Sequence, residues 1–458
     1  MIELKDEQVI VAQATAQGAG AIAMLRISGN RAVEIVDSVA HLSGAKKLVD
    51  QISHTIHYGW VVDKSGQSVD QVLFLIMRAP KTFTGQDVVE ITCHNNQFLV
   101  EQIIDIIIGA GARLADQGEF TRRAVLNGKV DLVQAEAINE LIHAQTSQAL
   151  KLSLQQLKGS FSAWIAAIEK QLIHVMAFCE ASFEFLDEEI TFEDQIKQRL
   201  AQVQKDIEQV LQTFDKRQYV TQGVRIALVG SVNAGKSSLF NALINRQRAI
   251  VTDIAGTTRD TIEAGMYSDG AYLTFVDTAG LRDSDDVVEK IGIDRSFQEV
   301  TSADIVLLVF DATASYAQEE IDLYDSIIQK YRQKIIVVQN KIDAGSNIVP
   351  CLQDQEIIAV SVLQSIHIDQ LRAKIDEKID SLMQVGQSPC LLNKRQYNLL
   401  LLLQNDLQAI DQSIVMKIDY ELLAIRLQDA ISKLSELTGK TVTEDALNAI
   451  FREFCVGK

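Results

Sequence analysis

The apolar run RIALVG passes directly into GSVNAGKS and then into a helical pattern, and no other segment restricts the fold as strongly. Gly230 and Gly235 let successive backbone N–H groups turn inward around an anion, Lys236 supplies charge for β and γ phosphates, and Ser237 offers a hydroxyl to magnesium. Such a loop works only between a strand and a helix. Residues 224 to 380 supply that context. Their apolar runs RIALVG, YLTFVD, DIVLLVF, KIIVVQN and EIIAVS alternate with helical stretches, the pattern of a mainly parallel, doubly wound α/β sheet.

Companion motifs fix the nucleotide. Strand YLTFV ends in Asp277, Thr278, Ala279 and Gly280; Asp277 can hold the magnesium shell and the Gly280 N–H can sense a γ-phosphate. Asn340, Lys341, Ile342 and Asp343 close the strand KIIVVQ, and the Asp343 carboxylate is placed to accept from guanine's ring N–H and exocyclic amine. Adenine presents the wrong donors, and an unpaired carboxylate in a closed site is costly, so the motifs specify GTP over ATP. Between them lie Gly256, Thr257 and Thr258, with Thr258 the candidate second hydroxyl on magnesium. Ras-type switches carry a water-orienting glutamine after the DxxG glycine, but Leu281 stands there and cannot orient a nucleophile. Glu289, in the acidic stretch Asp283 to Glu289, is the candidate; the alternative is a solvated surface carboxylate. Asn233 either lends its amide oxygen to a monovalent cation beside the phosphates or simply forms the turn.

The rest of the chain needs further domains, because 458 residues exceed one ordinary core. From about residue 8 to 115, VIVAQ, AIAMLRI, TIHYGWVV, VLFLIM and VVEITCH read as strands with two helical patterns near Arg31 to Ser38 and Gln97 to Ile108, an α+β domain. Beyond Val130 the period changes: Trp164, Ile168, Leu172, Val175 and Cys179 recur at helical spacing, as do Leu200, Val203, Ile207 and Val210. Helical patterns resume after Pro389, and Thr441 with Glu444 has capping-box spacing before a last helix near Phe454. The expected layout is an amino-terminal α+β domain (1–125), a helical domain in two parts (126–218 and 382–458), and the α/β domain (219–381) inserted between them.

Charge and cysteine usage narrow the setting. With 43 Lys and Arg against 61 Asp and Glu, the net charge of −18 has the wrong sign for unaided adhesion to phosphate backbones. Any nucleic acid must be met locally or through a second protein. Five cysteines without a CxxC pair argue against a zinc site or disulfide framework and suit the cytoplasm. No window reaches about 18 uninterrupted apolar residues, so no membrane association is expected.

At this point the sequence resembles the MnmE (TrmE) family of tRNA-modification GTPases along its whole length. The resemblance rests on IVAQAT followed by LRISG, TGQDVVEITCH, GEFTRRAVLNGKVDLVQAEAI, GSVNAGKSSLFNAL, VTDIAGTTRD, DTAGLRD with VEKIGIDRS, NKID and the terminal FCVGK. It implies a folate-binding α+β domain, an all-α helical domain and an inserted Ras-like P-loop GTPase domain. It also implies a homodimer through the amino-terminal domains, and a heterotetramer with the flavoprotein MnmG, which carries FAD and NADH. The pair would add an aminomethyl or carboxymethylaminomethyl group to carbon 5 of the wobble uridine of certain tRNAs, using a tetrahydrofolate one-carbon unit in methylene form, with 5-formyltetrahydrofolate as a related ligand.

The same resemblance assigns residues. The GTP-contacting set becomes Asn233, Ala234, Gly235, Lys236, Ser237, Ser238, Thr252, Asp253, Ile254, Ala255, Gly256, Thr257, Thr258, Asp277 to Gly280, Asn340, Lys341, Asp343, and Ser361, Val362 and Leu363 around the base. Potassium would be held by Asn233, Thr252, Ile254 and Thr257, and Glu289 would orient the water. Folate would meet Arg26, Glu90, Lys129 and Lys458. Three departures stand out: Ala16, Gln17 and Gln117 occupy places where the family commonly has prolines, Ser361-Val362-Leu363 replaces a SAK-like loop, and His94-Asn95-Asn96 replaces HGG. A regulatory or ribosome-assembly GTPase is the rival function, yet no appended RNA-binding module is recognisable.

Overall fold

Alternating β-branched runs in the first quarter of the chain need a sheet with one buried face, and the computed structural model contains it. It describes residues 8–44, 46–184, 192–231, 233–244, 262–268, 271–277, 300–347, 355–383, 390–416 and 420–457. The chain divides into two compact units, one of Met1–Asn139, Leu154–Ile207 and Asn398–Lys458, the other of Glu140–Ser153 and Glu208–Tyr397.

In the first unit, β1 (Ile10–Gln13), β2 (Ile22–Ser28), β3 (Ala40–Leu42), β4 (Thr55–Val62), β5 (Ser68–Met77), β6 (Val88–His94) and β7 (Arg113–Leu114) form a sheet in the order β3-β4-β5-β6-β2-β1-β7. Only β1 and β7 pair in parallel. Ala23, Leu25, Ile27, Phe74, Ile76, Val89 and Ile91 alternate onto one face, which Val33 and Val36 of the helix Ala32–Asp37 and Ile103 and Ile107 of the helix Gln97–Gly109 close off. Arg26 and Glu90, directly opposed in register, therefore lie on the other face. There Ile10 and Ala12 pack with Phe120 of the helix Glu119–Leu126. The turn at Asn95-Asn96 needs no glycine: Asn96 has φ −114° and caps the helix Gln97–Gly109, its side chain accepting from the Phe98 and Leu99 N–H groups.

The helical part of this unit departs from the sequence pattern in two places. In the helix Ser160–Glu184 the buried stripe runs through Phe161, Ile165, Ile168, Leu172, Val175 and Cys179, and Trp164 is only half-buried. The helix packs against the helix Tyr420–Thr438. The last helix, Glu444–Phe451, is capped by Thr443, whose hydroxyl accepts from the Ala446 N–H at 3.4 Å, not by Thr441. Thr441 has the capping-box spacing to Glu444, but Glu444 is the first helical residue, so the cap falls immediately before it.

Beyond that helix the tail docks. Phe451 and Phe454 pack on Leu132 and Ala135. Gly118, at φ 64°, lies so close that a Cβ would fall 2.6 Å from the Phe451 carbonyl. Gly457, at φ 88°, would place a Cβ 2.3 Å from the Gln13 carbonyl, so only glycine fits against β1. Lys458 lies outside the described residues.

The second unit carries β8 (Val224–Gly230), β9 (Ile262–Ser268), β10 (Ala271–Asp277), β11 (Ile305–Asp311), β12 (Ile335–Asn340) and β13 (Ile357–Ala359), ordered β13-β12-β11-β8-β10-β9. Every pair is parallel except β9 with β10. All seven residues of β11 are buried, as a continuous apolar strand covered on both faces requires. Among the described residues no helix is long and apolar enough to cross a membrane.

One buried ionic cluster anchors the first unit. Glu119 meets Arg113 at 2.5 Å and Arg123 at 2.9 Å, with Glu119 and Arg123 almost wholly buried. Burial alone would raise the Glu119 carboxyl, but the Arg113 hydrogen bond, the Asp116 N–H and the Arg123 charge hold it below the usual glutamate value. A depressed folded-state value means the contribution is complete above the ordinary glutamate range and is lost as pH falls through the folded value. Glu119→Gln is expected to cost about 3 kcal/mol at neutral pH, because it removes the buried carboxylate charge that Arg113 and Arg123 share. Thermal melts of parent and variant should converge in acid; a gap that persists there would assign the loss to packing rather than charge.

Candidate functional site

In this sheet β8 has β10 on one side and β11 on the other, so the carboxyl end of β8 opens onto the crevice where α/β sheets bind ligands. The phosphate-loop residues occupy that end. Gly230 has φ 153°, and a Cβ on it would lie 2.1 Å from the Val309 carbonyl; Gly235 has φ 91°, and a Cβ on it would lie 2.2 Å from Asn340 Nδ2. Asn233 adopts φ 64° between them. The curve thus requires glycine at 230 and 235, and it leads into the helix Lys236–Ile244. Ser237 and Ser238 are exposed on its first turn, while Ala234 is buried. Lys236 donates its ammonium to the Gly230 and Ser231 carbonyls at 2.9 and 2.8 Å.

The guanine motif is joined to this loop by side chains. Asn340, almost wholly buried at the end of β12, donates to the Ala234 carbonyl at 2.9 Å and accepts from the Val362 N–H at 3.3 Å. Lys341 donates to the Asn233 carbonyl at 2.7 Å and pairs with Asp311 at 2.6 Å. Asp311, which ends β11, was not among the residues singled out by motif. Burial alone would raise its carboxyl, but Lys341 and Thr313 hold it below the usual carboxylate range. Its only signal in the sequence is a carboxylate closing the otherwise apolar run IVLLVF. Asp343 is exposed and, among the described residues, makes no hydrogen bond or ion pair. Ser361 is buried, its hydroxyl accepting from the Gln364 N–H at 3.1 Å, and Leu363 stands 87% exposed at the tip of that loop.

Asp277 ends β10, its backbone in register with Leu228 of β8. Thr252, Asp253, Ile254, Ala255, Gly256, Thr257, Thr258, Thr278, Ala279, Gly280 and Glu289 lie outside the described residues. Of the expected metal ligands, Ser237 and Asn233 therefore have a described position. Among the described residues no group of three or more His, Cys, Asp or Glu side chains forms a metal cluster.

The second expected site lies in the other unit. Arg26 Nε pairs with Glu90 at 2.8 Å, its Nη1 donates to the Gly457 carbonyl at 3.1 Å, and its guanidinium lies 5.8 Å from the Phe120 ring centre. The structure thus brings Arg26, Glu90 and the tail together on one sheet face. Lys129 is exposed and donates to the Pro80 carbonyl at 2.9 Å.

Two family models divide the chain between them. The model described as the TrmE N-terminus of a GTP-binding protein matches residues 9–129, and that of the MnmE helical domain matches residues 132–455. The chain belongs to the MnmE family. It is 35% identical over 459 residues to the tRNA modification GTPase MnmE of Alkaliphilus oremlandii, covering 99% of each chain. The same-named proteins of Aquifex aeolicus and Thermotoga maritima are each 37% identical, covering 98% of this chain and 99% of theirs. The helical model spans the β8–β13 sheet, so the α/β P-loop domain is an insertion within the helical one, beside an α+β amino-terminal domain.

Asn340→Ala removes both bridges and leaves buried partners unpaired, at about 1–3 kcal/mol. Fluorescent guanine-nucleotide titration should show affinity falling roughly tenfold or more. Unchanged affinity would mean that the loop holds its curve without Asn340.

Proposed function

We propose that this chain is a GTP hydrolase of tRNA modification. Together with the flavoprotein MnmG, which brings FAD and NADH, it would add an aminomethyl or carboxymethylaminomethyl group to carbon 5 of the wobble uridine of certain tRNAs, drawing the carbon from a tetrahydrofolate derivative. It would act in the cytoplasm as a homodimer, in a heterotetramer with MnmG. The observation that carries this reading is full-length similarity: relatives named for tRNA modification match 98–99% of the chain, amino-terminal domain and P-loop domain alike. The proposed domains are a folate-binding and dimerising segment (1–125), two helical segments (126–218 and 382–458) and the GTPase segment (219–381).

In this mechanism the backbone from Asn233 to Ser238 cradles the phosphates, and Lys236 leaves its loop carbonyls to neutralise them. Ser237 and Thr258 would hold magnesium, with Asp277 supporting that site, and the ion would supply charge to the phosphates. Asn233, Thr252, Ile254 and Thr257 would hold potassium, which would supply positive charge beside the phosphates. Asp253, Ala255, Gly256, Thr278, Ala279 and Gly280 complete the contacts around the phosphates. Asp343 accepts from guanine while Asn340, Lys341, Ser361, Val362 and Leu363 frame the base, and Glu289 orients the attacking water. At the second site Arg26, Lys129 and Lys458 suit folate's anionic tail, and Glu90 suits the donor edge of its pterin ring.

Mass spectrometry of tRNA nucleosides tests the reading directly. Cells lacking the chain should lose the wobble-uridine modification, and cells carrying it without Val456 to Lys458 should lose it too, although GTP turnover of that truncated chain stays within about threefold because distant sites act independently. Unchanged wobble uridines in the deletion strain would sink the proposal. For the hydrolytic step, Glu289→Ala should slow turnover by roughly 10² to 10⁴ with nucleotide affinity retained. Sodium in place of potassium should slow the parent. Normal turnover in the variant would hand water orientation to another group, and indifference to the cation would remove Asn233 from its metal role.

A further inference from the structure

Asp311 ends β11 in register with Asn340 of β12, where the guanine motif begins, and is 7% exposed. Its two oxygens serve different loops. Oδ1 accepts from the Thr313 N–H at 2.8 Å and the Thr313 hydroxyl at 2.6 Å, fastening its own turn, and Oδ2 accepts from the Lys341 ammonium at 2.6 Å. The loop that follows Lys341 is laid on that turn. Ala312 donates its N–H to the Asn340 carbonyl and accepts from the Asn347 N–H, both at 2.9 Å, and a Cβ on Gly345 would lie 2.4 Å from the Ala312 carbonyl. Five non-glycine residues among those described have a left-handed φ, and two of them, Lys341 and Asn233, both at 64°, are bonded to each other. Asn233 can support that conformation with its short amide. Lys341 has no such group and persists there because its surroundings fix it, and the charge that meets its ammonium is Asp311.

We propose that Asp311 is a positioning residue for guanine recognition: by holding Lys341 in its left-handed turn it sets the course of the chain through Asp343, and so governs how well the site tells guanine from hypoxanthine. The inference rests on the reading above that Asp343 meets the ring N–H and exocyclic amine of guanine. Two hydrogen bonds to one carboxylate demand a fixed approach, because both donors lie on one rigid edge. Hypoxanthine keeps the ring N–H and lacks the amine, so it asks for only one of them. Asp343 is exposed and has no hydrogen bond or ion pair among the described residues, which leaves its placement to the backbone. That backbone is one turn with Lys341, whose carbonyl accepts from the Ala344 N–H at 3.0 Å. The Lys341 ammonium also bonds the Asn233 carbonyl at 2.7 Å, so losing its ionic partner slackens the phosphate loop as well. Both nucleotides share the phosphate loop, and only guanine needs the second bond to Asp343, so the two effects separate by base.

Asp311→Asn is the discriminating variant. Its amide oxygen still serves Thr313, but an NH2 group then faces the Lys341 ammonium, donor against donor, so the arm to the guanine motif is cut while the turn is kept. The test titrates GDP and inosine diphosphate against a fluorescent guanine nucleotide on the full chain. The parent should prefer GDP by roughly tenfold or more, the worth of one hydrogen bond to a charged group. In Asp311→Asn the GDP affinity should fall about tenfold and the inosine diphosphate affinity only about threefold, narrowing the preference. Lys341→Met cuts the same contact from the other side, and adding Asp311→Asn to it should change little, because the pair acts as a unit. Circular-dichroism melts of the same samples without nucleotide report folding. Parent-like affinities in Asp311→Asn overturn the proposal. An equal loss for both nucleotides overturns it too, being what a generally loosened site gives, as does full additivity in the double variant. If the parent itself does not prefer GDP, the Asp343 reading and this inference fall together; if the parent prefers it and the variant keeps that preference, only this inference falls.

Discussion

The nucleotide site depends on a single buried amide. Asn340 spans the gap between the phosphate loop and the base-side loop, donating to the Ala234 carbonyl and accepting from the Val362 N–H. Three segments that are distant in sequence are tied through one side chain. A buried amide is effective here because both of its ends are satisfied; in a low-dielectric surrounding each bond is stronger than in water and its loss dearer. Gly235 answers the same constraint from the other side, since a Cβ there would collide with the amide. The glycine of the phosphate loop and the asparagine of the guanine motif are two halves of one contact.

That relation explains what the sequence discloses and what it hides. TIHYGWVV coincides with β4, whose alternating burial writes a period into its residues, and VVEITCH coincides with β6, a β-branched run whose first four residues are all buried. β3 and β7, three and two residues long, have no period to read. In the long helix, spacing of three and four admits Trp164 or Ile165 equally, and the larger ring goes to the half-exposed edge while Ile165 enters the core. Thr441 against Thr443 is the same ambiguity at a helix end: a motif gives the spacing, but the cap is decided by where the helix starts. Asp311 was hidden for a different reason. It matters through Lys341, on the neighbouring strand, and such a pairing exists only after the sheet has formed.

The amino-terminal sheet shows the complementary case, in which a distant segment finishes a site. Arg26 is held by Glu90 across the β2–β6 pairing, a contact that follows from register alone. Its second hydrogen bond goes to Gly457, 431 residues away in sequence. A free chain end ordinarily frays, because few contacts offset the entropy of ordering it. Here Phe451 and Phe454 sink into an apolar patch and Gly457 lies flat on β1, so the end is fastened at both ends of a short stretch. The strict requirement for glycine at 457 follows from that flat approach.

The two lysines of the nucleotide site show how affinity there must be reckoned. Lys236 rests on the Gly230 and Ser231 carbonyls, and Lys341 on the Asn233 carbonyl and Asp311. Neither ammonium is idle, so an arriving phosphate does not gain the full strength of a new ion pair; for Lys236 it gains the difference between phosphate and two loop carbonyls. What the loop gains in return is shape. Its curvature at Gly230, Asn233 and Gly235 is held by these internal bonds, and the ordering cost that a slack loop would incur on binding has already been met in folding. Lys341 need not move at all, because it braces the loop from outside through Asn233. On the proposed function Lys236 would exchange partners and Lys341 would stay a strut, a distinction that identical side-chain chemistry conceals in the sequence.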